Sequence, residues 1–189
     1  ILASDIYKKY MEAPFADYAA DCELWRDLCK SIILPGEALA EAMENRSVFW
    51  NDDMQVMGTF VLKSLRQMAS APEGEPLPFL PQYKDAEDEA FGPELFTLAV
   101  QHKDEYRALI DRFIDREHWD TERIAFMDIV VMTCAIAELL NYPAIPVPVT
   151  MNEYVEIANS YSTARSGQFV NGVLYSVSDY LRSEGRLNK

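Results

Sequence analysis

Ile124 to Leu140 reads IAFMDIVVMTCAIAELL, and no residue between Asp128 and Glu138 is charged. Apolar side chains fall on every side of the projected helix, and a helix that is apolar all round is a buried one. The run stops short of the roughly 18–20 apolar residues that a membrane span requires. It therefore predicts a central core helix with other helices wrapped around it. Asp120 or Thr121 is placed to cap its start, and Asn141 with Pro143 to end it. Asp128 is the last charge before nine uncharged residues, several residues beyond that cap. It marks the point where the helix is expected to reach solvent.

On the C-terminal side, Pro143, Pro146 and Pro148 make a stiff crossing. Thr150-x-x-Glu153 has the spacing of a capping box, opening a helix with Met151, Tyr154, Val155, Ala158 and Tyr161 inward. The last helix runs from about Ser166 to Leu181, with Phe169, Val170, Val173, Leu174, Val177 and Leu181 inward. Asn171-Gly172 is a hairpin signal in other settings, but the helical period runs straight through it. Glycine there costs roughly 1 kcal/mol relative to alanine, which the close approach of a neighbouring helix would justify. On the N-terminal side, Tyr106, Leu109, Ile110, Phe113 and Ile114 form one helical stripe. Before it, Pro93 suits the first turn of a helix with Leu95, Leu98 and Ala99 inward.

Farther upstream, Asp85 to Glu89 is an acidic run, read as a solvated helix face or as a docking patch for a basic partner. Ala71 to Pro81 holds Pro72, Gly74, Pro76, Pro78 and Pro81, so no regular helix survives there. Leu77, Phe79 and Leu80 are expected to pack against something. Ser4 to Ile33 is amphipathic and broken near Pro14, and Glu37 to Glu44 is a short helix ending at Asn45. Asn51 or Asp52 caps the next helix, whose stripe is Met57, Phe60, Val61, Leu65 and Met68. The pattern is all-α throughout. It divides into a helical N-terminal half at 1–70, a Pro-rich linker at 71–83 and a core at 84–189.

At 189 residues and 49% hydrophobic, the chain can bury the core of one domain with an appendage. It begins at Ile1 rather than Met, which reads as a fragment. Nothing in it reads as a signal peptide or a membrane span. Cys134 falls in the apolar helix as a small core residue, and the seven-residue spacing of Cys22 and Cys29 is not a zinc spacing. An odd count of three cysteines fits a reducing, cytoplasmic compartment. The formal charge is −14: residues 1–82 carry 7 basic against 13 acidic side chains, and residues 83–189 carry 10 against 18. Such acidity repels nucleic acid at long range and favours a basic protein partner.

The sequence offers no Gly-rich phosphate loop, nucleophile motif or metal-ligand cluster, so neither catalysis, a cofactor nor a metal is expected. His102 and His118 read as surface or helix-end residues. Asp111 with Asp115, and Arg112 with Arg116, are each four apart, which makes a mixed-charge face of local ion pairs. Phe169 shares a spacing with Val173 and Val177, as a core residue does. The alternative is an aromatic at a helix start that stacks on an unpaired base.

An ordered set of motifs adds to this reading: Trp119, Glu138-Leu139, Ile145-Pro146, Asn152-Glu153, Ser166 and the run Phe169 to Leu174. In that order they resemble the NusB family of transcription antitermination factors, over roughly Glu94 to Leu181. The resemblance implies two small helical bundles around a buried central helix. It also implies a noncatalytic function in antitermination and ribosomal RNA synthesis. The implied partners are a single-stranded boxA-type RNA, the small-subunit ribosomal protein NusE and the transcription elongation complex, with a homodimer left open.

On this resemblance Phe169 lies at the RNA-contacting surface, and Ser166 with the first-turn N–H groups could hold a phosphate. Gln168 stands where many members have lysine, and Arg165 where many are acidic. Ile129 and Thr133 replace two arginines common in the central helix, so Thr133 is expected at a less buried edge. The family's Arg-rich N-terminal helix has no counterpart and is expected upstream of Ile1. Asp128 keeps the acidic character of a position near the ribosomal-protein contact. Replacing it by lysine is expected to slow that association without changing the melting temperature. Two other functions fit the residues: the RNA-binding module of a ribosomal RNA cytosine methyltransferase, and an acidic helical scaffold without RNA binding.

Overall fold

In a computed structural model, residues 1–72, 79–114, 124–187 and 189 are described. Gly74, Pro76, Leu77, Pro78, Asp115, Arg116, His118, Trp119, Asp120 and Thr121, on which parts of the sequence reading rest, lie outside them. Among the described residues every regular element is helical, and no helix is long and apolar enough to cross a membrane. The chain divides into two compact units, Ile1–Gln82 and Tyr83–Lys189.

The first unit holds α1 (Asp5–Met11), α2 (Tyr18–Leu28), a π-helical turn over Cys29–Ile33, α3 (Glu37–Glu44) and α4 (Trp50–Ser70). Ser4 caps α1 by accepting from the Tyr7 N–H at 3.2 Å, and Asp17 caps α2 by accepting from the Ala20 N–H at 2.8 Å. The interruption between them contains Pro14, as expected. The Tyr10 hydroxyl donates to Asp21 and ties α1 to α2. α4 departs from its expected stripe. Met57 and Val61 are exposed, and the buried residue is Gly58, where a Cβ would stand 3.1 Å from Leu34 Cδ1. The helix also starts before Asn51 and Asp52, at Trp50, without a side-chain cap. Phe79, expected to pack, is 97% exposed.

The second unit holds α5 (Ala86–Gln101), α6 (Lys103–Phe113), α7 (Phe126–Asn141), α8 (Val147–Tyr161) and α9 (Ser166–Ser183). α7 packs against α5, α6, α8 and α9, which makes it the central helix. Ile129, Val131, Met132, Ala135, Ile136, Ala137 and Leu139 are its buried apolar residues, and Thr133 is half-buried. α9 turns Phe169, Val170, Val173, Leu174, Val177 and Leu181 inward, all six of the expected positions.

The starts of α5 and α8 differ from expectation for local reasons. α5 begins at Ala86, so Pro93 lies inside the helix rather than in its first turn. The Asp85 carboxylate accepts from the Asp88 N–H at 2.9 Å, and Glu87, Asp88 and Glu89 sit at the positive end of the helix dipole. The acidic run is thus the helix's own start signal. α8 begins at Val147, so Thr150 is a full turn inside and buried, not a cap. Pro148 falls in the first turn, where a missing N–H costs nothing. The Thr150 hydroxyl has no hydrogen-bond partner among the described residues.

The α7 surface reverses the sequence pattern. Phe126 is 78% exposed and Met127 and Val130 are also exposed, whereas both flanking carboxylates, Asp128 and Glu138, are buried.

Candidate nucleic-acid interface

The junction between α8 and α9 is held by one chain of hydroxyls that ends on Asp128. Ser162 Oγ donates to Asp128 Oδ1 at 2.5 Å, and Ser166 Oγ donates to Ser162 Oγ at 3.0 Å. Ser166 Oγ in turn accepts from the Thr163 N–H at 3.0 Å and lies 2.8 Å from Thr163 Oγ1. Because the single Ser166 proton points to Ser162, Thr163 is the donor in that last contact. All three hydroxyl protons therefore run toward the carboxylate.

This arrangement revises two expectations. Asp128 does not reach solvent: it is 4% exposed. α7 starts at Phe126, so Asp128 lies in its first turn, where the dipole favours a carboxylate. Its partner, Ser162, is 34 residues away in sequence. Ser166 is 1% exposed, and its hydroxyl is committed to the junction rather than open to a phosphate. Its backbone N–H is also used, by the Thr163 carbonyl at 2.9 Å.

Above the junction, Phe113, Arg165, Gln168, Phe169, Gly172, Val173 and Ser176 line a groove of about 520 Å³ between α6 and α9. Arg165 and Gln168 are exposed on its rim. Phe169 is 6% exposed, so its ring forms a wall of the groove rather than a projecting platform. Three of the four RNA-contact candidates thus meet in one concavity, and Ser166 holds them from below. Gly172 is also on the groove. A Cβ there would have none of the described residues within 4 Å, so no described helix requires the glycine, contrary to expectation.

Sequence reasoning missed Arg112. Its guanidinium carbon lies 4.1 Å from the Tyr180 ring centroid and 5.4 Å from that of Phe113, and those two rings are 5.4 Å apart. Of the expected mixed-charge face, Asp115 and Arg116 lie outside the described residues, and Asp111 accepts from Arg107 Nε at 2.9 Å. Of the described arginines in this unit, Arg107, Arg182 and Arg186 are paired with carboxylates. Among the described residues none pairs with Arg112 or Arg165. The available signal was the i, i+1 neighbourhood of Arg112 and Phe113, but their stacking on Tyr180 requires the packing of α6 on α9.

Elsewhere in this unit, the Tyr154 hydroxyl donates to buried Glu138 at 3.0 Å. Burial first, and the Glu138 charge second, push the Tyr154 phenol far above its ordinary range. Lys189 Nζ donates to the Tyr142 carbonyl at 2.8 Å, at the C-terminal end of α7, and burial lowers its pKa. His102 joins α5 to α6 and lies 3.4 Å from Glu105, a helix-end residue as expected. Among the described residues, no group of His, Cys, Asp and Glu could hold a metal ion.

The NusB family model matches residues 59–179. The transcription antitermination protein NusB of Koribacter versatilis is 40% identical over 108 residues, covering 56% of this chain and 73% of the relative. That of Salinibacter ruber is 36% identical over 110 residues, covering 58% and 68%. A solved structure of T. maritima NusB covers 82% of this chain and 90% of its own, with 23% identity and a TM-score of 0.46.

Proposed function

This chain belongs to the NusB family, and on that premise we propose that it serves transcription antitermination by holding a single-stranded, boxA-type RNA on the α6–α9 groove. The observation that carries the reading is the groove itself. In a protein of net charge −14, it gathers Arg165, Gln168 and the Phe169 ring in one concavity, beside Arg112 on its Phe113 wall. Guanidinium edges suit phosphates, and aromatic walls suit unstacked bases. Backbone contacts to phosphate would set most of the affinity and make it fall with salt.

The protein partner in this reading is a basic ribosomal protein of the NusE type. The surface that supports it lies on α7, beside Asp128 rather than at it. Phe126, Ile129, Val130 and Thr133 line a second groove with Phe96, Val100 and Lys103, and Phe126 and Phe96 are strongly exposed. Asp128 acts there indirectly, by fixing the start of α7. Calorimetric titration tests the pair. A NusE-type protein should bind the chain, and its addition should tighten subsequent RNA binding. Binding of neither the protein nor the RNA would leave the acidic-scaffold reading.

A further inference from the structure

Glycine weakens a helix interior, and at Gly172 nothing among the described residues asks for one, since a Cβ would meet none of their atoms within 4 Å. The space it leaves opens into the groove, opposite Phe113 on α6. Just beyond Phe113, Arg112 lies over the Tyr180 ring at 4.1 Å. One face of the guanidinium is thereby covered, and among the described residues no carboxylate pairs with its edge N–H groups. An arginine held by an aromatic ring loses less freedom on binding than an extended one, and its planar edge matches a phosphate in bidentate fashion. Arg165 stands on the same groove from the α9 side. The groove thus has Arg165 and Gly172 in its lining, and Arg112 lies against its Phe113 wall.

We propose that this groove is a nucleotide seat in which Arg112 binds the phosphodiester on the α6 side, Arg165 serves the α9 side, and Gly172 leaves room for the nucleotide between them. This rests on the reading that the α9 face binds RNA, and it adds Arg112, Tyr180 and Gly172 to that site. Arg112 is exposed, so replacing it does not open a core.

The test is fluorescence anisotropy of a short labelled single-stranded boxA-like RNA with the 189-residue chain, at several salt concentrations, with thermal melting of each variant. Arg112→Gln should weaken binding roughly tenfold, as expected for one lost charge-assisted contact. It should also reduce the slope of log K against log salt by about 0.7, the value of one phosphate contact on a single strand. Arg112→Lys should keep the slope yet still bind several-fold more weakly, because an ammonium cannot lie flat on Tyr180 and grip in two places. Arg182→Gln, on the arginine paired with Asp179, should change neither. Unchanged affinity and slope in folded Arg112→Gln, with Arg165→Gln weakened, would overturn the Arg112 seat and leave the RNA reading standing. An absence of binding by the parent chain would overturn both.

Discussion

Asp128 shows what a single residue does here that its neighbours in sequence cannot reveal. Its carboxylate ends the hydroxyl chain from Thr163 through Ser166 and Ser162, so removing it leaves the half-buried Ser162 donor without its acceptor. Asp128→Ala should lower the unfolding free energy by about 1.5–3 kcal/mol, the range for a hydrogen bond to a charged group, measured by urea denaturation. Asp128→Lys should cost more, since it places a cation at the positive end of α7. This replaces the expectation of an unchanged melting temperature. The sequence marked Asp128 as the last charge before an apolar run, but periodicity along one helix cannot report a partner on another. Phe169→Ala is likewise a poor probe of stacking, because emptying a buried Phe site typically costs about 3–5 kcal/mol.

Tyr154 gives a pH-dependent prediction at the same scale. Its folded pKa is raised, by burial and by Glu138, while the unfolded phenol titrates near its ordinary value of about 10. The folded state therefore keeps a proton that the unfolded state loses. This stabilisation is complete below about pH 10 and is lost as the pH rises above it toward the folded value. Unfolding free energy should fall with pH in the alkaline range, and Tyr154→Phe should flatten that fall. The same variant should be less stable at neutral pH by about 1–3 kcal/mol, since buried Glu138 loses its donor. Equal alkaline slopes in the two proteins would contradict this account.

Among the elements, α9 was legible because its six inward positions follow one helical period, and packing agrees with that period. Helix starts were less legible. Pro93 and Thr150 each carry a start signal, but Asp85 and Pro146 lie upstream and act first. The groove was half legible. Arg165, Gln168 and Phe169 lie within five residues and share a helix end. Arg112 enters only when α6 packs on α9. Gly172 separates local stability from function within one element. Gly172→Ala should stabilise α9 by up to about 1 kcal/mol, because the added Cβ meets nothing. It should also weaken RNA binding by narrowing the groove. A variant that is both more stable and unchanged in RNA affinity would show that the glycine leaves room for no ligand.

Across the whole molecule, burial is unequal. The buried apolar cluster lies within Ala99–Leu187, whereas the buried residues of the first unit's helices are Cys22, Leu28 and Gly58. Residues 83–189 produced alone should therefore remain helical and melt cooperatively, as circular dichroism would show. A non-cooperative melt would mean that the core needs the first unit. Composition pointed to one domain with an appendage, and hydrophobic periodicity identified the helices of both units. It could not show that α4 turns Gly58 inward, because Met57 and Val61 carry the stronger apolar signal.

The central claim is that single-stranded RNA lies in the α6–α9 groove of an otherwise acidic protein. Photocrosslinking with a 4-thiouridine-substituted boxA-like RNA, followed by mass-spectrometric mapping, tests it most directly. The account predicts adducts on peptides from α6 around Arg112 and from α9 between Arg165 and Ser176, suppressed by unlabelled RNA. Specific adducts confined to α1–α4, or to the exposed Phe96 and Phe126 face, would contradict it.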